Sequence, residues 1–255
     1  MNRTLRQIAV PLTAMLIFVI LWEALVWVNG WPNFVMASPS DLPPAYARYW
    51  ELFLIGSWQT LWRTMLGLLL AVIFGLALGM IMGFSRLARE GLYPLLVGFN
   101  AVPKATVVPI IALLFVGAHD FNTVLMAFMI SFFPIAVSVS IGLSTLEPEY
   151  RDILRSLGAS NTTIFWKIAL PKTLPEFFGA LKVSVTLAFI GTNLMEIVSP
   201  HGRGLGALFD SGRTNADYPL MFAVLIVLAI LGIALFYVVV ILEKIFAGWA
   251  ERTPG

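Results

Sequence analysis

The chain has 255 residues, of which 59% are apolar and only 12% carry a charge, and its mean hydropathy is +0.89. A typical soluble domain has about 25% charged residues, so this composition excludes a soluble protein and predicts an all-α membrane protein. The net charge of +2 is small and dispersed, which does not indicate nucleic-acid binding. Without cysteine there is no disulfide framework or thiolate metal site, and two histidines cannot form a zinc site by themselves.

Six apolar stretches are long enough to cross a bilayer, which takes about 20 residues for ~30 Å of hydrocarbon. They are 8–28, 57–83, 92–116, 123–146, 177–199 and 219–242. The first is longer than the apolar region of a signal peptide and lacks a small-residue cleavage site, so we interpret it as a retained span. We therefore expect one transmembrane domain over 1–255, a polytopic bundle of about six helices with its core at about 57–247.

The Lys and Arg residues between the spans predict the orientation, because cytoplasmic loops carry more of them. The side that holds both termini has ten: Arg3, Arg6, Arg86, Arg89, Arg151, Arg155, Lys167, Lys172, Lys244 and Arg252. The opposite side has three: Arg48, Arg203 and Arg213. Both termini and the polar segment 147–176 are therefore expected to face the cytoplasm, and the loops 29–56 and 200–218 to face outward. Four glycines in 200–218 predict that this loop is mobile.

The polar segment 147–176 lies between two apolar spans and carries helix signals. Gly158 can supply the left-handed residue that ends a first helix. Ser160 can cap a second helix over 161–170, which Pro171 is expected to stop. An ordinary helical loop is one interpretation of these signals, and a docking surface is the other. Four apolar residues share one face of the first helix, because they recur at i, i+3, i+4 and i+7: Tyr150, Ile153, Leu154 and Leu157.

The spacing within this segment is more specific than its amphipathic face. Five residues read D-x-x-x-x-x-G-x(9)-I-x-L-P: Asp152, Gly158, Ile168, Leu170 and Pro171. This pattern resembles the E-A-A-x(3)-G-x(9)-I-x-L-P loop of the permease subunits of type I ABC importers. The runs RSLGAS at 155–160 and LPKTLPEFFGALK at 170–182 are similar to the nitrate, taurine and aliphatic-sulfonate branch of that family. The chain departs from the pattern where Asp-Ile-Leu at 152–154 replaces the usual Glu-Ala-Ala.

The resemblance implies the permease architecture of type I importers, embedded in the lipid of a bacterial inner membrane. It implies three partners: a second copy of the chain, two ATPase subunits and a soluble or lipid-anchored solute-binding protein. ATP and Mg²⁺ would bind the ATPase, so this chain would be no enzyme and hold no cofactor; the sequence has no Walker loop. The implied ATPase-coupling residues are Tyr150, Asp152, Ile153, Leu154, Arg155, Leu157, Gly158, Ala159, Ile168, Leu170 and Pro171.

Ionisable residues inside spans are candidates for a translocation path, because each is costly there. Pro103 and Lys104 lie in the third span, and the run PKATVVP at 103–109 resembles the P-K-x-A-x-x-P segment of the family. The implied role of Lys104 is a cation that attracts an anionic cargo, and a structural lysine is the alternative. Asn193 and Glu196, near the outer end of the fifth span, are the other predicted path residues.

Three further charged residues have simpler interpretations. Glu23 and Arg63 lie near the outer ends of the first two spans, where they either pair or reach the lipid headgroups. Lys182 starts the fifth span and is expected to extend towards the cytoplasmic surface.

We therefore interpret the chain as the permease subunit of an importer for a small anionic solute, such as a sulfonate, nitrate or an aromatic acid. A secondary transporter driven by an ion gradient is the alternative, since Lys104 and Glu196 would suit proton coupling. Six spans without a visible inverted repeat disfavour that class. A membrane enzyme would need a catalytic cluster at one membrane face, and the sequence shows none.

Overall fold

The computed structural model describes residues 3–144, 153, 156–158, 160–199 and 202–249. Its helices are α1 (Arg3–Asn29), α2 (Leu42–Phe84), α3 (Arg86–Ala101), α4 (Lys104–Leu114), α5 (His119–Ser144), α6 (Asn161–Ile164), α7 (Leu170–Val198), α8 (Leu205–Thr214) and α9 (Tyr218–Ala247). A 3₁₀ turn, Pro39–Asp41, precedes α2, and a π-helical turn, Phe165–Ala169, joins α6 to α7. The described residues contain no strand, so the predicted all-α class is confirmed.

Four helices are long and apolar enough to cross a membrane, namely α2, α5, α7 and α9. The third predicted span, 92–116, is a bent pair of helices, because α3 and α4 meet at an angle of 87°. Val102 is extended (φ −64°, ψ 126°), as expected for a residue that precedes a proline, here Pro103. Counting the bent pair as one span gives up to five in the described residues. The first predicted span, 8–28, lies in α1. The apolar part of this helix is Thr13–Asn29, which is shorter than any of the four spanning helices.

The helices α2 and α5 run parallel in close contact along a row of glycines. Small residues let transmembrane helices approach until their backbones touch. A Cβ atom added to these glycines would lie 2.5 Å from Ala127 at Gly67, 2.9 Å from Ile135 at Gly75, 2.7 Å from Val139 at Gly79 and 2.8 Å from Leu143 at Gly83. Because the contacts advance in the same direction along both helices, α2 and α5 start at the same end of the bundle.

The helix α7 packs on the other side of α5 in the opposite direction. Gly142, near the end of α5, contacts Thr173 near the start of α7, and Gly191, near the end of α7, contacts Met126. This places α5 at the centre of the bundle: 56% of its most apolar stretch is buried, against 17% for α9.

The outer helices complete an alternating arrangement. Glu243, near the end of α9, bonds Lys182 of α7, and Phe222, near the start of α9, lies 6.0 Å from Trp22 near the end of α1. The start of α1 and the end of α9 therefore lie at one end of the bundle, together with α6. We call this the α6 end and the opposite one the α8 end. Since α2 ends at the α6 end and α5 starts at the α8 end, α3 and α4 connect the two ends.

Each of the two segments predicted as outer loops contains helical residues. Residues 42–56 belong to α2, which has 43 residues and a kink at Tyr49 (φ −114°, ψ 18°). The 200–218 segment, which was predicted to be mobile, contains α8. Its glycines allow close packing: a Cβ atom at Gly206 would lie 2.7 Å from the carbonyl oxygen of Asn193.

We predict that Gly79→Val destabilises the bundle, because the new side chain must enter the α2–α5 contact. Overpacking of this kind costs about 1–3 kcal/mol. The matched control is Gly98→Val in α3, where an added Cβ atom meets nothing within 4 Å. Thermal unfolding of both purified variants in detergent measures the difference, and equal melting temperatures would contradict the proposed packing.

Candidate functional site

The described part of the predicted coupling segment is a helical turn that ends in a left-handed glycine. The Leu157 N–H donates to the Ile153 carbonyl at 3.1 Å, and Gly158 has φ +83°. The predicted helix end is therefore confirmed. Ile153 and Leu157 are 56% and 77% exposed, so their apolar side chains are available to a partner. Five predicted coupling residues lie outside the described residues: Tyr150, Asp152, Leu154, Arg155 and Ala159.

From Asn161 the chain is helical as far as Val198, through α6, the π-helical turn and α7. The Ser160 hydroxyl accepts a hydrogen bond from the Thr163 N–H at 3.2 Å, so the predicted N-cap is confirmed. The prediction that Pro171 stops the helix is wrong, because Pro171 lies in the first turn of α7, where its missing N–H costs nothing. Ile168 lies in the π-helical turn, Leu170 is the first residue of α7, and both are half-buried.

At the α8 end, one buried carboxylate joins three helices. Glu196 of α7 has a side chain that is 1% exposed. Its Oε1 accepts from Nη1 of Arg63 at 3.0 Å. Its Oε2 accepts from the Thr60 hydroxyl at 2.8 Å and from the Gly206 N–H at 3.0 Å. The Leu205 N–H in turn donates to the Thr60 oxygen at 2.9 Å. Glu196 therefore fastens the start of α8 to α2 and α7.

Arg63 lies between this buried acid and an exposed one. Its Nε and Nη2 both donate to Oδ1 of Asp120, at 2.9 Å and 2.6 Å. The Asp120 side chain is 62% exposed, whereas that of Arg63 is 5% exposed. Nη1 of Arg63 also lies 3.4 Å from the carbonyl oxygen of Arg203. Among the described residues, Arg63 and Glu196 are the buried charged side chains, and such a pair is costly to break because it leaves one charge without its partner.

Two predictions for charged residues are corrected. Glu23 accepts hydrogen bonds from the Ser40 N–H and hydroxyl at 3.1 Å and 2.9 Å, so it does not pair with Arg63. Lys182 donates to both carboxylate oxygens of Glu243, at 2.9 Å and 2.8 Å, rather than extending towards the cytoplasmic surface. The sequence does signal that charges within spans need partners, but it does not say which distant helix supplies them.

Lys104 lies at the break between α3 and α4. Its Nζ donates to the carbonyl oxygens of Phe99 at 2.6 Å, Asn100 at 3.2 Å and Val102 at 3.1 Å. A cation is favoured at this position, because the last carbonyls of a helix have no partners within it. The structure thus gives Lys104 a capping role beside Pro103, and its role in the path stays a prediction.

The other two predicted path residues lie in α7 and have separate bonds. The Asn193 Nδ2 donates to the Phe189 carbonyl at 2.8 Å, and Glu196 belongs to the buried network with α2 and α8. The structure does not join Lys104 with either of them in one network. Within the described ranges, no group of three His, Asp or Glu side chains could hold a metal ion.

Apolar helices long enough to span a membrane, together with a network of buried charges, are features of a multi-pass membrane protein. Residues 71–250 match the family described as binding-protein-dependent transport system inner membrane component. The chain belongs to this family. It is the permease subunit of an ABC importer, as the sequence predicted, and a multi-pass protein of the bacterial inner membrane.

Several relatives match over nearly the whole chain. The formylaminopyrimidine transport permease protein ThiX of Halalkalibacterium halodurans is 29% identical and covers 95% of this chain and 96% of its own. The riboflavin transport system permease protein RibX of Chloroflexus aurantiacus is 32% identical, and the match covers 95% of this chain and 90% of RibX. The taurine transport system permease protein TauC of Escherichia coli is 26% identical, and the match covers 90% of this chain and 86% of TauC.

The fold is also that of a solved transporter chain. A chain of the MetNI methionine ABC transporter, in an inward-facing conformation, matches with a TM-score of 0.66. It is 19% identical, and the match covers 78% of this chain and 98% of that one. The predicted architecture is therefore confirmed at the level of the fold.

We predict that Glu196→Ala destabilises the protein, because it removes one carboxylate from the buried Arg63 and the acceptor of the Gly206 N–H. Breaking a buried pair costs about 3–5 kcal/mol. Glu90→Ala is the matched control, since it breaks an exposed pair with Arg86, which is worth about 0.3–0.5 kcal/mol. Denaturant unfolding in detergent measures both variants. A loss for Glu196→Ala no larger than for Glu90→Ala would show that the network does not hold the α8 end.

Proposed function

We propose that the chain forms the gated path of an ATP-driven importer for a small anionic solute, which a solute-binding protein delivers and which leaves in the cytoplasm. The observation that carries this proposal is the segment at the α6 end. There, two exposed apolar residues, Ile153 and Leu157, precede a left-handed glycine. A contiguous exposed apolar patch marks a partner surface, and in this proposal Ile153 and Leu157 belong to such a patch, which contacts the ATPase.

The coupling proposal has a physical route. From Asn161 onwards, α6, the π-helical turn Phe165–Ala169 and α7 follow one another without an intervening loop. A π-helical turn is a frequent feature of functional sites. Closure of the ATPase subunits would move the exposed turn and, through this helical connection, tilt α7 against α5. Such a rigid-body switch between two discrete packing states is an established form of transition.

A second copy of the chain would complete the path. The residues of α3 are all at least partly exposed, although most of this helix is apolar. In the bent pair α3–α4, Leu95 is 69% and Leu113 is 76% exposed. Val116, just after the pair, is 81% exposed. In a homodimer this surface would face the partner and the path between the two copies, and Lys104 would lie within it.

The α6 end and both termini would face the cytoplasm. The bias of Lys and Arg residues supports this orientation, and so does the proposed contact with an ATPase, which needs cytoplasmic ATP. The α8 end would then face outward, towards the solute-binding protein.

The anionic solute is inferred from the residues of this chain. Lys104 is a half-buried cation at the break in the proposed path wall. Arg63 and Arg203 line a cavity at the α8 end. The relatives are named for formylaminopyrimidine, riboflavin and taurine, which differ in charge, so their names do not select the solute. For the ion-driven alternative, Glu196 would need to exchange protons, yet it is buried and accepts three hydrogen bonds, which disfavours that role.

We predict that Gly158→Val uncouples transport, because a valine resists the left-handed conformation by about 1–2 kcal/mol and redirects the chain after Leu157. Apart from its chain neighbours, no atom of the described residues lies within 4 Å of a Cβ atom added to Gly158, so the expected effect comes from the backbone conformation. ATPase subunits should dissociate during purification, and the ATP hydrolysis stimulated in reconstituted vesicles should fall.

The control for this prediction is Gly30→Val. Gly30 also has a positive φ, of +58°, and open space around it, but it lies at the α8 end. Gly30→Val should retain the ATPase subunits and their stimulation. If Gly158→Val retains them as well, the segment 153–171 is not the coupling surface.

A further inference from the structure

A cavity of about 360 Å³ opens at the α8 end. It lies between the start of α5, the residues just before α8 and the part of α2 that carries Gln59 and Arg63. Volumes of about 300–1,000 Å³ are typical of small-molecule sites. Its polar lining comes from Gln59, Arg63, His119, Asp120 and Arg203. It combines two arginines with a single acid, a set of charges suited to an anionic ligand.

We propose that this cavity binds the anionic group of the transported solute on the Arg63 guanidinium, and that the Asp120 carboxylate occupies this position when no solute is bound. The ligand class is a small organic carboxylate or sulfonate. This inference rests on the proposed function, since it identifies where an anionic cargo first contacts the chain.

Arg63 is already held in position for an anion. Its Nη1 is fixed by Glu196 at 3.0 Å within the buried network, so the guanidinium needs no reordering when a ligand arrives. The opposite edge, with Nε and Nη2, is the edge that arginine uses for two parallel bonds to a carboxylate. Pre-positioned charges of this kind reduce the entropy cost of binding.

Asp120 bonds this edge of the guanidinium through only one of its two carboxylate oxygens. Both Nε and Nη2 donate to the same oxygen, Oδ1, at 2.9 Å and 2.6 Å. A carboxylate or sulfonate ligand can offer a separate oxygen to each N–H, which is the stronger arrangement. Because the Asp120 side chain is already 62% exposed, its release into water is inexpensive.

The charge balance around Arg63 favours an exchange of anions. Glu196 and Asp120 oppose Arg63 and Arg203, so the formal charge of the four groups is zero. When a monoanion replaces Asp120 on Arg63, the guanidinium keeps two negative neighbours, and Asp120 gains hydration. A neutral ligand cannot replace the carboxylate without leaving the buried guanidinium with reduced compensation, so the site discriminates by charge.

The test measures binding to the full-length chain in lipid nanodiscs by ligand-observed NMR titration. The probe is benzenesulfonate, and benzenesulfonamide is its neutral counterpart. Benzenesulfonate should bind and benzenesulfonamide should not. Asp120→Asn should tighten benzenesulfonate binding about tenfold, because a neutral amide competes for the guanidinium much less strongly than the carboxylate does. Arg203→Gln should weaken it about three- to fivefold, the value of one exposed charge.

Arg213→Gln is the matched control. Arg213 is also an exposed arginine of the α8 end, and it pairs with an aspartate, Asp210, at 2.6 Å, but it does not line the cavity. Its substitution should leave benzenesulfonate affinity unchanged. Asp120 and Arg203 are exposed, so melting temperatures near that of the wild type should show that all three variants are folded.

Four results would overturn the inference: no binding of benzenesulfonate, equal binding of benzenesulfonamide, unchanged or weaker binding by Asp120→Asn, or equal affinities of Arg203→Gln and Arg213→Gln. These results leave the proposed function standing if Gly158→Val uncouples the ATPase. If Gly158→Val has no effect while the anion affinities shift as predicted, the coupling proposal fails and the anion site stands.

Discussion

The close contact of α2 with α5 is the constraint on which both ends of the molecule depend. Lipid surrounds these helices, so burial of apolar groups adds little to their association, and dense backbone packing must supply it. The glycines of α2 make that packing possible along about four turns. The contact sets Arg63 beside Asp120 at the α8 end. At the α6 end it holds α5 in place against the start of α7, where Gly142 contacts Thr173.

The helix α7 connects the two candidate sites. It begins at Leu170, directly after the π-helical turn, and carries Glu196 near its other end. With 29 residues it spans about 43 Å, which exceeds the hydrocarbon core of a bilayer. In the proposed coupling, a displacement at the start of α7 would reach the carboxylate that fastens α8 through this one helix. The ion pair of Lys182 with Glu243 makes α9 part of the same body.

The features that were predictable from sequence are those whose physical cause lies within a few residues. The left-handed Gly158 and the Ser160 cap follow from local backbone needs, and four apolar spans follow from length and hydropathy. The effect of Pro171 was misinterpreted, because it lies in the first turn of α7, where no N–H is required. The partner of Arg63 was not predictable, because Asp120 and Glu196 are 57 and 133 positions away and only the packing of α2, α5 and α7 brings them together.

The most direct test of the central claim is photo-crosslinking from the exposed turn in intact membranes. A photoreactive amino acid at Leu157 should give an adduct with an ATPase subunit that carries a Walker loop, identified by mass spectrometry. The same amino acid at Leu114, a leucine of similar exposure at the end of α4, should not give this adduct. An adduct with the ATPase from Leu157 alone is the result that the account predicts. No ATPase adduct from Leu157, or an equal yield from Leu114, would contradict it.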